Sequence, residues 1–185
     1  MKAYVKKSGK SGDEPLDIDV EMSIMLGSFA ERVYLEEVME VRVEFVTLDS
    51  GARLPEYARE GDAGMDFFLP EGKSVAVRPG EPTLVKLGVA CAVPEGYELQ
   101  LRAKSGLALK GLWLVNGVGT IDSGYRGELA AIVGNCGAVP YLFQGGDKVC
   151  QGVLARVERA ECVEVELLGE SERGCGGFGS TGRTA

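Results

Sequence analysis

Residues 98–106 of the chain read Glu-Leu-Gln-Leu-Arg-Ala-Lys-Ser-Gly. Apolar and polar side chains alternate over the first six positions, which is the period of a β-strand with one buried and one solvated face. Ser105 follows the strand and is suited to cap a short helix over residues 106–110. The same alternation recurs at residues 41–45 and 163–167, so these segments are predicted to be strands as well.

Short apolar runs separated by glycine or proline turns fill most of the remaining chain. They span residues 75–77, 83–93, 112–115, 129–133 and 147–157. Many short strands at this spacing predict an all-β sandwich or barrel with one short interior helix. A chain of 185 residues has room for one good core, so we expect one β domain with appendages.

The N-terminal residues 1–38 follow a different pattern. The first 17 are polar and are predicted to be disordered, whereas the apolar residues from Ile18 onwards fall at helical spacing. We predict an amphipathic helix over 18–38, in a segment that is either a lineage-specific extension or sequence upstream of a start at Met39. The expected domains are this extension, a β domain over 39–170 and a C-terminal arm over 171–185.

Composition excludes several classes of function. The net charge of −8 does not provide the basic surface of a general nucleic-acid binder, so no nucleic-acid partner is expected. The absence of histidine excludes imidazole bases and histidine metal sites. The five cysteines form no CxxC pair and follow no secretory signal, so we expect mostly buried free thiols in a cytoplasmic protein. No apolar run approaches the roughly 20 residues of a membrane span, so no membrane partner is expected.

A glycine-rich segment near the C-terminus, residues 173–182, reads Arg-Gly-Cys-Gly-Gly-Phe-Gly-Ser-Thr-Gly. Its glycines let the backbone approach a ligand closely, and Ser180 and Thr181 offer hydroxyl groups to phosphate oxygens. Arg173 supplies a guanidinium suited to phosphate, and Phe178 can lie flat on a base. We therefore predict a flexible arm that closes over a nucleotide.

Residues 116–127 are interpreted as a glycine-punctuated hairpin between two apolar strands. Asn116 offers a donor and an acceptor to a planar base, and Tyr125 offers a flat face. Asp122 is the only convincing general base in a chain without histidine. An ordinary surface hairpin would also use turn-favouring residues, but the density of functional side chains favours a binding site.

Three further clusters are weaker on their own. Residues 62–67 place two carboxylates among small residues, which is also ordinary turn chemistry. Residues 102–106 join two cations on one side of a strand end to Ser105, as a solvated helix start would also do. Residues 146–153 place Gln151 in mid-strand, where it is either paired in the core or directed at a ligand.

Together and in this order, the five clusters resemble the trimeric deoxyuridine triphosphatase (dUTPase) family over roughly residues 41–182. The most specific motifs are GTIDSGYRG at 119–127 and RGCGGFGSTG at 173–182. The resemblance implies a jelly-roll-like, distorted β-barrel and a homotrimer with active sites shared between subunits. It also implies Mg²⁺-dependent hydrolysis of dUTP to dUMP and pyrophosphate, which limits uracil in DNA and supplies dUMP for dTMP synthesis.

The resemblance also implies roles for individual residues. Asp122 activates the attacking water, and Asp66 contacts the metal through water. Tyr125 packs on the deoxyribose and leaves no room for a 2′-hydroxyl, and Phe178 covers the base. The other implied substrate-binding residues are Lys104, Ser105, Gly106, Asn116, Gly119, Gln151, Arg173, Gly179, Ser180 and Thr181.

The chain departs from the family pattern at a few positions. Lys104 replaces a usual arginine, so looser phosphate geometry is expected. Phe67, Cys150 and Gly152 also differ from the usual residues, and we interpret these as packing changes. Two other functions are less favoured. A dCTP deaminase on the same fold is not expected to carry the Asp-x-x-Tyr-Arg-Gly run, and Asp122 and the intact arm argue against a non-catalytic regulator that resembles a dUTPase.

Overall fold

The computed structural model describes residues 41–177 and Ser180, and the chain divides between Glu44 and Phe45. The predicted disordered start and the predicted helix over 18–38 lie outside the described residues. The larger unit begins at Phe45 and contains the sheets. In the described part of the chain, no helix is long and apolar enough to cross a membrane.

Within the described residues, short strands account for nearly all of the regular structure, and one four-residue helix lies between two of them. The all-β prediction with one short interior helix is therefore confirmed. The elements are β1 (Glu44–Thr47), β2 (Met65–Phe68), β3 (Ser74–Val77), β4 (Thr83–Lys86), β5 (Val89–Ala92), β6 (Tyr97–Arg102), α1 (Ser105–Ala108), β7 (Leu112–Leu114), β8 (Gly119–Ile121), β9 (Ala130–Asn135), β10 (Tyr141–Gln144) and β11 (Lys148–Arg156).

The strands are arranged in four sheets. The largest has the order β2-β11-β6-β8, the next has the order β4-β9-β7, and β1-β5 and β3-β10 form pairs. All pairings in the two larger sheets are antiparallel. β7 and β8 are consecutive in sequence but belong to different sheets, so the predicted hairpin around residues 116–127 is instead a crossing from one sheet to the other.

Alternation along β6 places its leucines in the core. Leu99 and Leu101 are buried, whereas Arg102 at the end of the strand is exposed. On the same core face, a Cβ at Gly152 would lie 2.5 Å from Cε2 of Phe67. The Phe67 ring therefore fills the space that a side chain at position 152 would take, as the interpretation of both as packing positions predicts.

A β-bulge in β11 sets the face on which its polar residues lie. Lys148 pairs with Phe68, Cys150 with Phe67 and Gln151 with Asp66, so the register shifts between Lys148 and Cys150. The extra residue reverses the side-chain alternation after it. Lys148 and Gln151 consequently share one face of the sheet with Asp66.

The predicted strand over residues 163–167 is wrong. This segment follows β11 without pairing to any described strand, and its apolar side chains are exposed, with Leu167 at 88%. An alternating pattern forms a strand only where a partner edge is available, and a single chain supplies none here.

The cysteine prediction is correct in one respect and wrong in another. All five thiols are free. Only Cys91 and Cys150 are buried, whereas Cys136, Cys162 and Cys175 are exposed, so most of the thiols are not in the core. Burial raises the pKa of the Cys150 thiol to about 12, which keeps it neutral.

Candidate active site

A buried carboxylate between two lysines forms the centre of the first polar cluster. Asp66 lies on β2 with 3% of its surface exposed. Its Oδ1 accepts a hydrogen bond from Nζ of Lys104, and its Oδ2 lies 2.6 Å from Nζ of Lys148. The cluster joins β2 to the end of β6 and to the bulged start of β11.

The charges of this cluster determine the ionisation of Asp66. Burial on its own would raise the pKa of Asp66, but hydrogen bonds from Lys104 and Lys148 and their positive charges lower it below 3.8. Asp66 is therefore an anion at neutral pH. A carboxylate this buried is stable in that form only because both oxygens have cationic partners.

The start of α1 adds backbone donors next to Lys104. Lys104 is the N-cap residue, and its carbonyl oxygen accepts hydrogen bonds from the N–H groups of Leu107 and Ala108. The expectation that Ser105 caps the helix is wrong, because Ser105 is the first helical residue and no side chain caps it. Among the described residues, the N–H groups of Ser105 and Gly106 donate to no protein acceptor, so both remain free for an anion.

Gln151 is fixed at the edge of the same cluster. Its Nε2 donates a hydrogen bond of 3.0 Å to the carbonyl oxygen of Ala103. A Cβ at Gly64 would lie 2.7 Å from its Oε1, so only glycine fits beside the amide. An amide nitrogen carries two N–H groups. Gln151 therefore donates one to Ala103 within the protein and keeps the other for a ligand.

The two cations of residues 102–106 do not act together. The Nε of Arg102 donates a hydrogen bond of 3.1 Å to Oε1 of Gln100, whose Nε2 donates to Glu98 at 2.6 Å. Lys104 instead contacts Asp66. Of the two, only Lys104 belongs to the Asp66 cluster.

A second group of predicted residues lies where the chain crosses from β7 to β8. The backbone turns at Gly117, whose φ of +71° favours glycine and whose N–H donates to the carbonyl oxygen of Leu114. Asn116 is exposed, and its Nδ2 would lie 3.2 Å from a Cβ at Gly119. A side chain at position 119 would therefore crowd the Asn116 amide.

The loop after β8 holds Tyr125 and Asp122. Tyr125 is 44% exposed, and its hydroxyl donates a hydrogen bond of 3.1 Å to the carbonyl oxygen of Glu128. Arg126 closes the turn, because its Nη1 donates to the carbonyl oxygens of Ser123 and Tyr125 at 2.6 and 2.7 Å. The carboxylate of Asp122 is exposed and has no hydrogen-bond or ion-pair partner in the described part of the chain.

Asp122 and Lys104 lie towards opposite ends of the β6–β8 strand pair, whereas Gly119 lies at the Lys104 end. Gly119 pairs with Leu101 and Ile121 pairs with Leu99, so Asp122 is level with Glu98. Lys104 lies six residues from Glu98 along the chain, or about 20 Å at roughly 3.3 Å per residue. The direction from Gly119 to Asp122 therefore leads away from the Lys104 of the same chain.

The arm is described in part. Nε of Arg173 donates a hydrogen bond of 2.8 Å to the carbonyl oxygen of Gly176, and the N–H of Ser180 donates to that of Gly177 at 3.0 Å. Arg173 is exposed and makes no ion pair with the described residues. Phe178, Gly179 and Thr181 lie outside the described residues.

The described residues offer few carboxylates to a metal ion. Among residues 41–177 and Ser180, no three His, Cys, Asp or Glu side chains converge on one point. The oxygens of Asp66 each face one lysine, which leaves a lone pair for a water molecule. The outer-shell role of Asp66 stays a prediction.

Lys148 is the member of the Asp66 cluster that the sequence interpretation missed. A regular strand from Lys148 to Gln151 would place the two on opposite faces. The bulge reverses this, and no residue type in the segment indicates it. The adjacent Asp147 and Lys148 were the only sign in the sequence that charged side chains are important at the start of β11.

Comparison with known proteins gives a consistent result. The family model described as dUTPase matches residues 50–182. A deoxyuridine 5′-triphosphate nucleotidohydrolase of Wolinella succinogenes is 44% identical over 151 residues, covering 81% of this chain and all of that protein.

Solved structures agree with the sequence relatives. The dUTPase of Staphylococcus bacteriophage 80alpha, as a mutant with dUpNHpp, matches with a TM-score of 0.70 at 29% identity, over 77% of this chain and 99% of that one. A mutant dUTPase from phage phi11 of S. aureus, with a structural Mg(II) ion, matches with a TM-score of 0.62 at 29% identity, over 68% and 97% of the two chains. The matches confirm the predicted jelly-roll fold.

Proposed function

Because the chain belongs to the dUTPase family and hydrolyses dUTP, we propose that Asp122 activates the water that attacks the α-phosphorus. The water oxygen bonds to the α-phosphorus as its proton passes to the Asp122 carboxylate. The bond from the α-phosphorus to the bridging oxygen breaks, and pyrophosphate leaves with that electron pair. This role is supported by the carboxylate of Asp122, which is exposed and has no partner among the described residues. Both oxygens of Asp66, by contrast, form ion pairs with lysines.

The phosphates bind at the Asp66 cluster. Lys104 offers charge, and Ser105 and Gly106 offer backbone N–H groups at the start of α1. The free N–H of Gln151 completes this set. Arg173, Ser180 and Thr181 of the arm add donors to the outer phosphates and stabilise charge on the leaving pyrophosphate.

The nucleoside binds at the crossing between β7 and β8. Asn116 and the backbone at Gly119 pair with the uracil edge, and Phe178 of the arm covers the ring. Tyr125 packs on the deoxyribose and excludes a 2′-hydroxyl. Gly179 lets the arm approach the nucleotide closely.

One active site is assembled from more than one chain of a homotrimer. A nucleotide with uracil at Gly119 and its α-phosphorus at Asp122 extends away from the Lys104 of the same chain, by the strand geometry above. Its phosphates must therefore meet a Lys104 from another copy. The exposed apolar side chains at 163–168 also favour burial against a second chain.

Magnesium enters with the substrate in this proposal. Asp66 would contact the ion through water, and the substrate phosphates would supply its other ligands. When bound, the ion neutralises phosphate charge and orients the triphosphate. The phi11 structure described above supports a metal in this family.

Pyrophosphate release from the purified protein tests this proposal. With Mg²⁺, dUTP should be turned over, whereas dCTP, dTTP and UTP should be poor substrates. Asp122→Asn should lower turnover by about 10² to 10⁴-fold while nucleotide still binds, because an amide cannot accept the proton. Near-normal turnover by that variant would refute the role of Asp122, and ammonia release from dCTP would indicate a deaminase instead.

A further inference from the structure

We propose that Lys148 is a positioning residue for the phosphate subsite. Its ammonium holds the second oxygen of Asp66, and through Asp66 it fixes the ammonium of Lys104 against the substrate phosphates. The inference rests on the phosphate-binding role proposed for Lys104. It concerns a residue of the Asp66 cluster that was given no role in binding or catalysis above.

The geometry is that of a carboxylate clamped from both sides. Oδ1 of Asp66 faces Lys104 and Oδ2 faces Lys148, and the Asp66 side chain is 5% exposed. Lys148 reaches this point only because of the bulge between Lys148 and Cys150. Without the extra residue it would lie on the opposite face of β11 from Gln151.

Lys104 needs such support because its ammonium lies at the end of a flexible side chain. A lysine is a point charge on a flexible stem, whereas an arginine presents a rigid fork of donors. Lys104 donates one N–H to Asp66 and keeps the other two N–H groups for phosphate oxygens. The direction of those two donors depends on how firmly Asp66 is held, and Lys148 and the β2–β11 pairing are what hold it.

Lys148 also changes the charge of the cluster. Lys104 and Asp66 alone cancel, whereas two lysines and one aspartate leave one positive charge. This matters in a chain of net charge −8 that binds a polyanion.

Kinetics of Lys148→Gln test the inference. Glutamine keeps an N–H donor but removes the charge, and we expect kcat/KM for dUTP to fall by about tenfold to a hundredfold, as when one charge-assisted hydrogen bond is lost. Lys148→Arg, which keeps the charge, should retain most of the wild-type activity. Lys73→Gln is the matched control, because Lys73 forms a similar ion pair with Asp49, at 3.0 Å, outside the site.

A double-mutant cycle separates positioning from general stability. If Lys148 acts through Lys104, adding Lys148→Gln to a Lys104→Gln protein should change kcat/KM little. Additive losses, or a Lys148→Gln enzyme equal to the wild type, would overturn the inference. Lys148→Met, which keeps the stem, is measured in parallel, with thermal melting as the check on folding.

Binding of inorganic triphosphate, measured by calorimetry, gives a readout that does not need turnover. Lys148→Gln should bind it more weakly than the wild type and than Lys73→Gln. Equal binding by all three would contradict the inference. A wild-type protein that binds triphosphate but does not hydrolyse dUTP would count against the proposed function and leave this comparison valid.

Discussion

Replacing Gly127 with alanine tests whether the ring of Tyr125 sets the choice between dUTP and UTP. The ring lies directly over Gly127, and a Cβ there would lie 2.6 Å from Cζ of Tyr125. Ordinary carbon–carbon contacts are about 3.5–4.0 Å, so the ring must move by about 1 Å or the loop must shift. Either change breaks the hydrogen bond from the Tyr125 hydroxyl to Glu128.

The expected effect follows from that displacement. A misplacement of about 1 Å in a positioning group costs as much as a hundredfold in rate, so kcat/KM for dUTP should fall by about tenfold to a hundredfold. UTP should lose less, because the wall that excludes its 2′-hydroxyl has moved. The preference for dUTP over UTP should therefore narrow.

The assay is pyrophosphate release from dUTP and from UTP under identical conditions. Gly124→Ala is the matched control in the same loop, because a Cβ there meets nothing within 4 Å. It should keep the wild-type preference. If Gly127→Ala kept that preference as well, Tyr125 would not be the element that excludes the 2′-hydroxyl.

Three further predictions follow from the packing, the charges and the arm. Gly152→Ala should lower the free energy of unfolding by about 1–3 kcal/mol, because its Cβ would crowd Phe67. Adding Phe67→Leu to the same protein should restore part of the melting temperature. No recovery would mean that Phe67 and Gly152 do not compensate each other in size. Hydrogen bonds from the N–H of Gly51 and from Lys73 lower the pKa of Asp49, so the contribution of Asp49 to stability is present above pH 3.8 and is lost as the pH falls through the lowered pKa. The free energies of unfolding of the wild type and of Asp49→Asn should therefore differ at pH 7 and converge in acid. A difference that does not change with pH would contradict this. Deleting residues 173–185 should reduce turnover of dUTP far more than binding of dUMP, which lacks the outer phosphates, and full activity in the deletion would exclude a catalytic role for the arm.

The β fold could be predicted because alternation is a local property. Leu99 and Leu101 are buried and Arg102 is exposed, as their spacing requires. The helix at Ser105–Ala108 was also expected, although its cap was not. A serine is a common cap, but the side chain that precedes it contacts Asp66, and backbone groups alone start the helix.

What could not be predicted depends on which strands meet. The segment 163–167 has the pattern of a strand and no partner in the described chain, so the pattern alone was misleading. The proposed hairpin at 116–127 is a crossing between two sheets, because β7 pairs with β9 and β8 pairs with β6. Strands that pair over a long sequence separation cannot be matched from the local residue pattern of either one.

Lys148 illustrates the same limit within the site. Its contact with Asp66 requires a bulge, the register of β2 on β11, and a carboxylate 82 residues earlier in the chain. Residue types predicted the family by resemblance, whereas the phosphate-binding roles stay predictions. The pairing of charges became visible only in the structure.

Mixing two inactive variants tests the central claim, that Asp122 and Lys104 of one chain serve different active sites. An Asp122→Asn protein and a Lys104→Met protein are purified separately, mixed and allowed to exchange subunits, with exchange confirmed by mass spectrometry. Sites that combine Asp122 from one chain with Lys104 from another should then be intact. Activity should recover towards about a quarter of the wild-type value, since each of the two contributing chains has an even chance of carrying the intact residue. No recovery despite proven exchange would show that both residues act within a single chain, and would contradict the shared site.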